Sequence, residues 1–135
     1  LRKPGTRVVV RLGTTGELFA REQLPEADLT VLDQDAACVM EIVNDRAAAY
    51  IYDQLSIYRY HRQHQDTTEA LLDPFQEEFW AVGIAKGQDA LREGVNAALA
   101  DLRSSGGFDA LDDEFLADEK MMLEGMGVPF IFVGD

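Results

Sequence analysis

The chain has 135 residues, of which 47% are hydrophobic and 27% charged, enough apolar material for one domain with a core of its own. A formal net charge of −13 argues against nucleic acid or an anionic membrane surface as partner, since both would repel it. A single cysteine excludes an intrachain disulfide, and no apolar run reaches the length a transmembrane helix needs.

Leu1-Arg2-Lys3-Pro4 runs straight into the first strand, so no signal peptide is expected in these residues. The missing initial methionine suits a mature or trimmed product. Residues 7–12, rich in valine, read as a buried strand. Gly13-Thr14-Thr15-Gly16-Glu17 follow directly and predict a strand-to-helix corner. Gly13 permits the tight turn, and a threonine hydroxyl caps the helix, Thr15 being the better candidate. Unsatisfied N–H groups and the positive helix end coincide at such a corner, which attracts an anion. Glu17 sits favourably near that end and is given no ligand role.

The helix covers 15–23 and closes at Leu24-Pro25. Residues 29–32 form a second strand, then a helix capped by Asp33 or Asp35 runs to about 44. Its apolar side carries Cys38, Val39, Ile42 and Val43, which makes Cys38 a small buried hydrophobe rather than a nucleophile. Residues 47–52 make a third strand ending in Asp53, and 54–64 a third helix. Asp53 caps that helix or supplies a carboxylate to a ligand; with donors at the first corner, a zwitterion such as an amino acid fits between them. His61 and His64 lie three apart without a third ligand at metal spacing, so they belong to a solvated face. Tyr50, Tyr52, Tyr58, Tyr60 and Trp80 are expected to pack in the core, with Tyr52, beside Asp53, the one candidate for ligand contact.

Short strands are predicted at 70–73 and 79–86. Strands and helices alternating at this spacing imply a mostly parallel sheet with helices on both faces, and ligands then bind at the carboxyl ends of the strands. From Asp89 the character changes: Leu91, Val95, Leu99 and Leu102 recur at helical spacing until Ser104-Ser105-Gly106-Gly107. Phe108, Leu111, Phe115 and Leu116 open another helix reaching Met121, Met122 and Leu123, with Asp109, Asp112, Asp113 and Glu114 as solvated surface. Residues 128–133 are an apolar tail.

Four stretches carry a family resemblance: Arg7 to Glu17 with its Gly-Thr-Thr-Gly-Glu, the run from Arg46 ending Tyr-Ile-Tyr-Asp53, Val-Gly-Ile-Ala-Lys-Gly at 82–87, and 91–109 ending Leu-Arg-Ser-Ser-Gly-Gly-Phe-Asp. In this order they resemble the second half of the extracellular solute-binding proteins that serve polar amino-acid ABC importers. The resemblance implies an α/β lobe of the periplasmic-binding-protein type over residues 1–88, including hinge strands near 7–12 and 81–86. Residues 89–135 would then be helices and tail that pack on a first lobe absent from this sequence. It implies that Thr14 and Thr15, at the corner with Gly13, hold a ligand carboxylate through hydroxyl and N–H groups. Asp53, beside Tyr52, would hold the α-ammonium.

It further implies a periplasmic or extracellular place in a bacterium, a membrane permease as partner, capture by lobe closure, and no catalytic residue, metal or cofactor. The uncovered stripe of Leu91, Val95, Leu99 and Leu102 suggests a homodimer or an exchange of elements between copies. Three rival functions sit on the same scaffold: a ligand-sensing module of a receptor, an enzyme such as a dehydratase or cell-wall lyase, and a domain that binds only protein.

Overall fold

The computed structural model describes residues 1–76, 78–128 and 130. They divide into two compact units, Leu1–Leu72 and Asp73–Asp135.

The first unit alternates strand and helix: β1 (Arg7–Arg11), α1 (Thr15–Gln23), β2 (Asp28–Leu32), α2 (Asp35–Val43), β3 (Ala49–Ile51) and α3 (Gln54–Gln63). All three strands are parallel, in the order β2-β1-β3. Val10 pairs with Val31 on one side and Ile51 on the other. The central strand is sealed on both faces, and Val8, Val9 and Val10 are wholly buried. Side chains alternate along a strand, so Val8 and Val10 pack with Ala20, Leu24 and Ile51, while Val9 packs with Cys38 and Ala47 on the opposite face. Each buried valine contributes about 1.5–3 kcal/mol of apolar transfer, which makes β1 the structural axis of the unit. Residues 7–11 of the stretch expected as a hinge crossing form the central strand of this sheet. Gln54 Nε2 donates to the Leu72 carbonyl at 2.6 Å and ties α3 to the unit's last residue.

The second unit contains α4 (Asp89–Ser104), α5 (Gly107–Phe115) and α6 (Ala117–Gly125). Gly106 turns the chain at φ 74°, and a Cβ on Gly107 would stand 2.7 Å from Leu102 Cδ2. The α4–α5 corner is thus closed by glycines. The helix expected to run from Phe108 through Leu123 is two helices, parted at Leu116, which ends α5 and precedes α6.

Several expectations are corrected. The strands expected at 70–73 and 79–86 are not formed: the described residues there carry no strand, and Phe79 and Trp80 are 95% and 75% exposed. An apolar, β-branched run becomes a strand only where a neighbouring strand pairs its backbone. Trp80 is accordingly no core residue. Asp112 is buried rather than solvated, and burial raises its carboxyl above the usual range. The amphipathic α4 is formed as expected, with Leu91 55% exposed and none of its residues buried. Of the tail at 128–133, Pro129 and residues 131–133 lie outside the described residues.

Candidate functional site

The carboxyl ends of β1 and β3 lie side by side because Val10 pairs with Ile51. The corners after them are brought closer by one glycine. Gly16, in the first turn of α1, packs so near β3 that a Cβ there would stand 2.7 Å from the Ile51 carbonyl oxygen. The start of α1 and the Tyr52–Asp53 corner therefore face a common edge of the sheet.

At the first corner Gly13 takes φ +74°, a left-handed value that glycine adopts without cost. Thr14, not Thr15, is the N-cap: its backbone is extended and its hydroxyl oxygen accepts from the Glu17 N–H at 3.3 Å. The same hydroxyl donates to the Arg11 carbonyl at 2.8 Å, which uses its one proton. What Thr14 offers outward is its backbone N–H, which, like that of Gly16, has no partner among the described residues. Glu17 is buried and closes the corner one residue ahead of the cap, its Oε2 accepting from the Gly13 N–H at 2.7 Å and its Oε1 from Arg21 Nε at 2.9 Å. The Gly13 N–H first and Arg21 second hold the Glu17 carboxyl below its ordinary range. Arg21 also balances its charge, so the helix end remains open to an anion.

At the second corner Asp53 takes the first of the two roles expected of it, that of helix cap. Its Oδ1 caps α3 by accepting from the Ser56 N–H at 2.9 Å, and its Oδ2 has no partner among the described residues. Asp53 is exposed, so this oxygen is available.

Arg11, which the sequence reading passed over, joins the corners. It is the last residue of β1, and its Nη1 donates to the Tyr52 hydroxyl at 2.7 Å and pairs with Asp35 Oδ1 at 3.1 Å. Asp35 is consequently not the cap of α2; that position is Gln34, and Asp35 serves the ion pair. Tyr52 stacks on Tyr50 with centroids 5.4 Å apart and planes 12° apart, so its ring is fixed from two sides. Burial raises the Tyr50 phenol, and burial followed by Asp35 raises that of Tyr60. The signal that marked Arg11 was a partly buried charge closing the wholly buried run Val8–Val10, a position that demands an acidic partner.

Other candidates resolve simply. Cys38 is wholly buried, and burial raises its thiol, which leaves it an inert core residue. His61 Nδ1 lies 2.9 Å from Thr68 Oγ1. Among the described residues no cluster of three metal-ligating side chains exists and no helix is long and apolar enough to cross a membrane.

No family model matches the chain. It is 26% identical over 111 residues to the L-cystine-binding protein TcyJ of Escherichia coli K12, covering 82% of this chain and 42% of that protein. The crystal structure of the substrate-binding protein of an amino acid ABC transporter superposes with a TM-score of 0.70 at 27% identity, over 84% of this chain and 51% of that one. The chain is a relative of the amino-acid solute-binding proteins of ABC importers. An ancestral cationic amino acid solute-binding protein matches at 31% identity and TM-score 0.63, over 85% of this chain and 49% of its own. An ancestral cyclohexadienyl dehydratase shares the fold at 29% identity and TM-score 0.51, over 86% and 48%. The chain thus spans about half the length of these relatives, and the part it matches is their C-terminal portion.

Proposed function

We propose that this chain supplies one half of an amino-acid capture site. The open N–H groups of Thr14 and Gly16, at the Gly13-Thr14-Thr15 corner that starts α1, receive the ligand's α-carboxylate, and Asp53 Oδ2 receives its α-ammonium, with Tyr52 alongside. The observation that carries this reading is the unpartnered carboxylate oxygen of Asp53 on the same sheet edge as the open helix end. Charge-assisted bonds at both ends of a zwitterion are stronger than neutral ones, and they select α-amino acids over sugars and oxyanions.

On this reading the first unit, extended through residue 88, is the second lobe of a solute-binding protein of an ABC importer. A first lobe closes over the ligand, and the closed form meets a membrane permease outside the bacterial cytoplasm. Closure shifts a two-state equilibrium toward the liganded form, and no covalent step or cofactor takes part. Residues 89–135 pack on the first lobe, or on a second copy through Leu91, Val95, Leu99 and Leu102; a monomeric mass at micromolar concentration would exclude the second arrangement.

A thermal-shift screen of the common amino acids tests the reading, because a ligand that binds only the folded state raises the melting temperature. One or a few amino acids should raise it, and Asp53→Asn should abolish the rise while keeping the α3 cap, since asparagine caps as well as aspartate. Equal rises in the variant would remove Asp53 from the site. The enzymatic reading has the dehydratase neighbour in its favour. Product formed from a bound substrate would move the function there.

A further inference from the structure

The two α-group contacts leave a third feature of this edge without a task. Arg11 lies between them in the bonding pattern: its carbonyl accepts from the Thr14 hydroxyl at 2.8 Å, and its guanidinium reaches the Tyr52 hydroxyl at 2.7 Å, one residue before Asp53. A single nitrogen, Nη1, makes its polar side-chain contacts, to Tyr52 and to Asp35, and the guanidinium carbon lies 6.0 Å from the centre of the Tyr52 ring. Nε and Nη2 have no partner among the described residues, and the side chain is 39% exposed. Asp35 and Tyr52 therefore bond the guanidinium at one nitrogen and leave its other donors for a ligand. Among the acceptors of the cluster, Asp35 Oδ1 and the Tyr50 hydroxyl are closed to solvent, and Asp35 Oδ2 accepts from Arg11 Nη1 at 3.4 Å.

We infer that Arg11 determines ligand specificity, reading the end of the amino acid's side chain and selecting one that terminates in an acceptor oxygen, a carboxylate or a carboxamide. The inference rests on the capture of an α-amino acid at Thr14 and Asp53. Guanidinium carries only donors in a planar fork suited to such oxygens, and it cannot be deprotonated to accept. A side chain ending in ammonium or guanidinium carries no acceptor for these donors and would compete with Arg11 for Asp35. An aliphatic side chain would leave its exposed donors to be stripped of water without replacement, a cost that falls on binding. Charge balance agrees: Asp35 already neutralises Arg11, so a neutral carboxamide is accommodated as well as a carboxylate.

The test is a titration of the ¹⁵N-labelled chain with four probes that share the α-groups: L-glutamate, L-glutamine, L-norvaline and L-lysine. Backbone amides of Thr14, Gly16 and Asp53 report the α-groups, and the Arg11 Nε–H resonance reports the side chain. Such spectra register millimolar binding, which suits half a cleft. L-Glutamate or L-glutamine should bind about tenfold or more tighter than L-norvaline, as a hydrogen bond to a charged group allows, and should shift the Arg11 Nε–H. The comparison of these two tells carboxylate from carboxamide. In Arg11→Met the ratio to L-norvaline should fall toward one; Tyr52→Phe, which frees the guanidinium without removing it, should reduce the ratio less. Equal binding of norvaline and the oxygen-bearing probes, tighter binding of L-lysine, or an unchanged ratio in Arg11→Met would overturn the role of Arg11 while leaving amino-acid capture standing. If none of the four moves Thr14, Gly16 or Asp53, capture itself fails and the inference with it. Protection of the Val9 and Val10 amides shows that each variant is folded.

Discussion

Gly16→Ala isolates the contact that draws the two corners together. Gly16 has no left-handed φ, so alanine suits its backbone, and the added methyl meets the Ile51 carbonyl oxygen at 2.7 Å, with Ile51 C and Cγ2 both at 3.4 Å. That oxygen belongs to the strand paired with β1 and cannot turn aside as a side chain would. Overpacking of this kind costs about 1–3 kcal/mol, against which alanine in a helix gains about 0.5–1 kcal/mol over glycine. The net expectation is a loss of about 1–2 kcal/mol, or roughly 5–10 °C in Tm for a unit of this size. Loss of alignment between α1 and Asp53 should weaken amino-acid binding as well. Gly94→Ala supplies the contrast: it lies inside α4 with nothing within 4 Å of its Cβ, so the same substitution should stabilise by about 0.5–1 kcal/mol. Hydrogen exchange of the Val9 and Val10 amides measures the first unit, and far-ultraviolet circular dichroism the helices of both. A Gly16→Ala protein at least as stable as the parent, with its ligand affinity intact, would refute the reasoning.

Val9→Ala removes two methyl groups from a wholly buried site between β1 and α2, and should cost about 1.5–3 kcal/mol in denaturant unfolding. Glu17→Gln tests the bond between Glu17 and the Gly13 N–H through pH. Because the folded state holds the Glu17 carboxyl below its ordinary value of 4.5, its contribution is complete above that value and is lost as pH falls through the lower folded one. The parent should therefore be the more stable protein near neutrality, and the gap to Glu17→Gln should close in acid; a gap that is constant with pH would count against it. Asp53→Ala should lose both cap and ligand, with about 1 kcal/mol of stability going with the cap, whereas Asp53→Asn should lose the ligand alone. Calorimetric titration and thermal melts of the two variants separate the two roles.

The order of elements through α3 was legible because periodicity and punctuation agreed there: a valine run, a glycine-threonine corner and Asp53 at a strand end each fit the same parallel layout. The exchange of Thr15 for Thr14 as cap is one position, a limit set by hydroxyls of equal competence side by side. Residues 79–86 misled for a different reason: apolar β-branched composition expresses a demand for burial but not which neighbour meets it, and Phe79 stands 95% exposed. Asp112 shows the converse, since its place in an acidic cluster suggested water while the packing of the chain buried it. Asp35 and Arg11 were hidden because their bond spans 24 residues of sequence, a separation that only the β1–α2 crossover closes. The candidate site was thus readable in its corners and unreadable in the ion pair that links them.

The central claim is that the α1 corner and Asp53 act together on one zwitterion. Its most direct measurement is the change in the amide spectrum of the chain on adding an amino acid, compared with the matching amine that lacks the carboxylate and the matching acid that lacks the amine. The account predicts that the amino acid moves Thr14, Gly16 and Asp53 together, that each half-ligand binds more weakly, and that Asp53→Asn removes the response to the amine. An amino acid that binds no better than its two halves, or shifts confined to residues away from both corners, would contradict it.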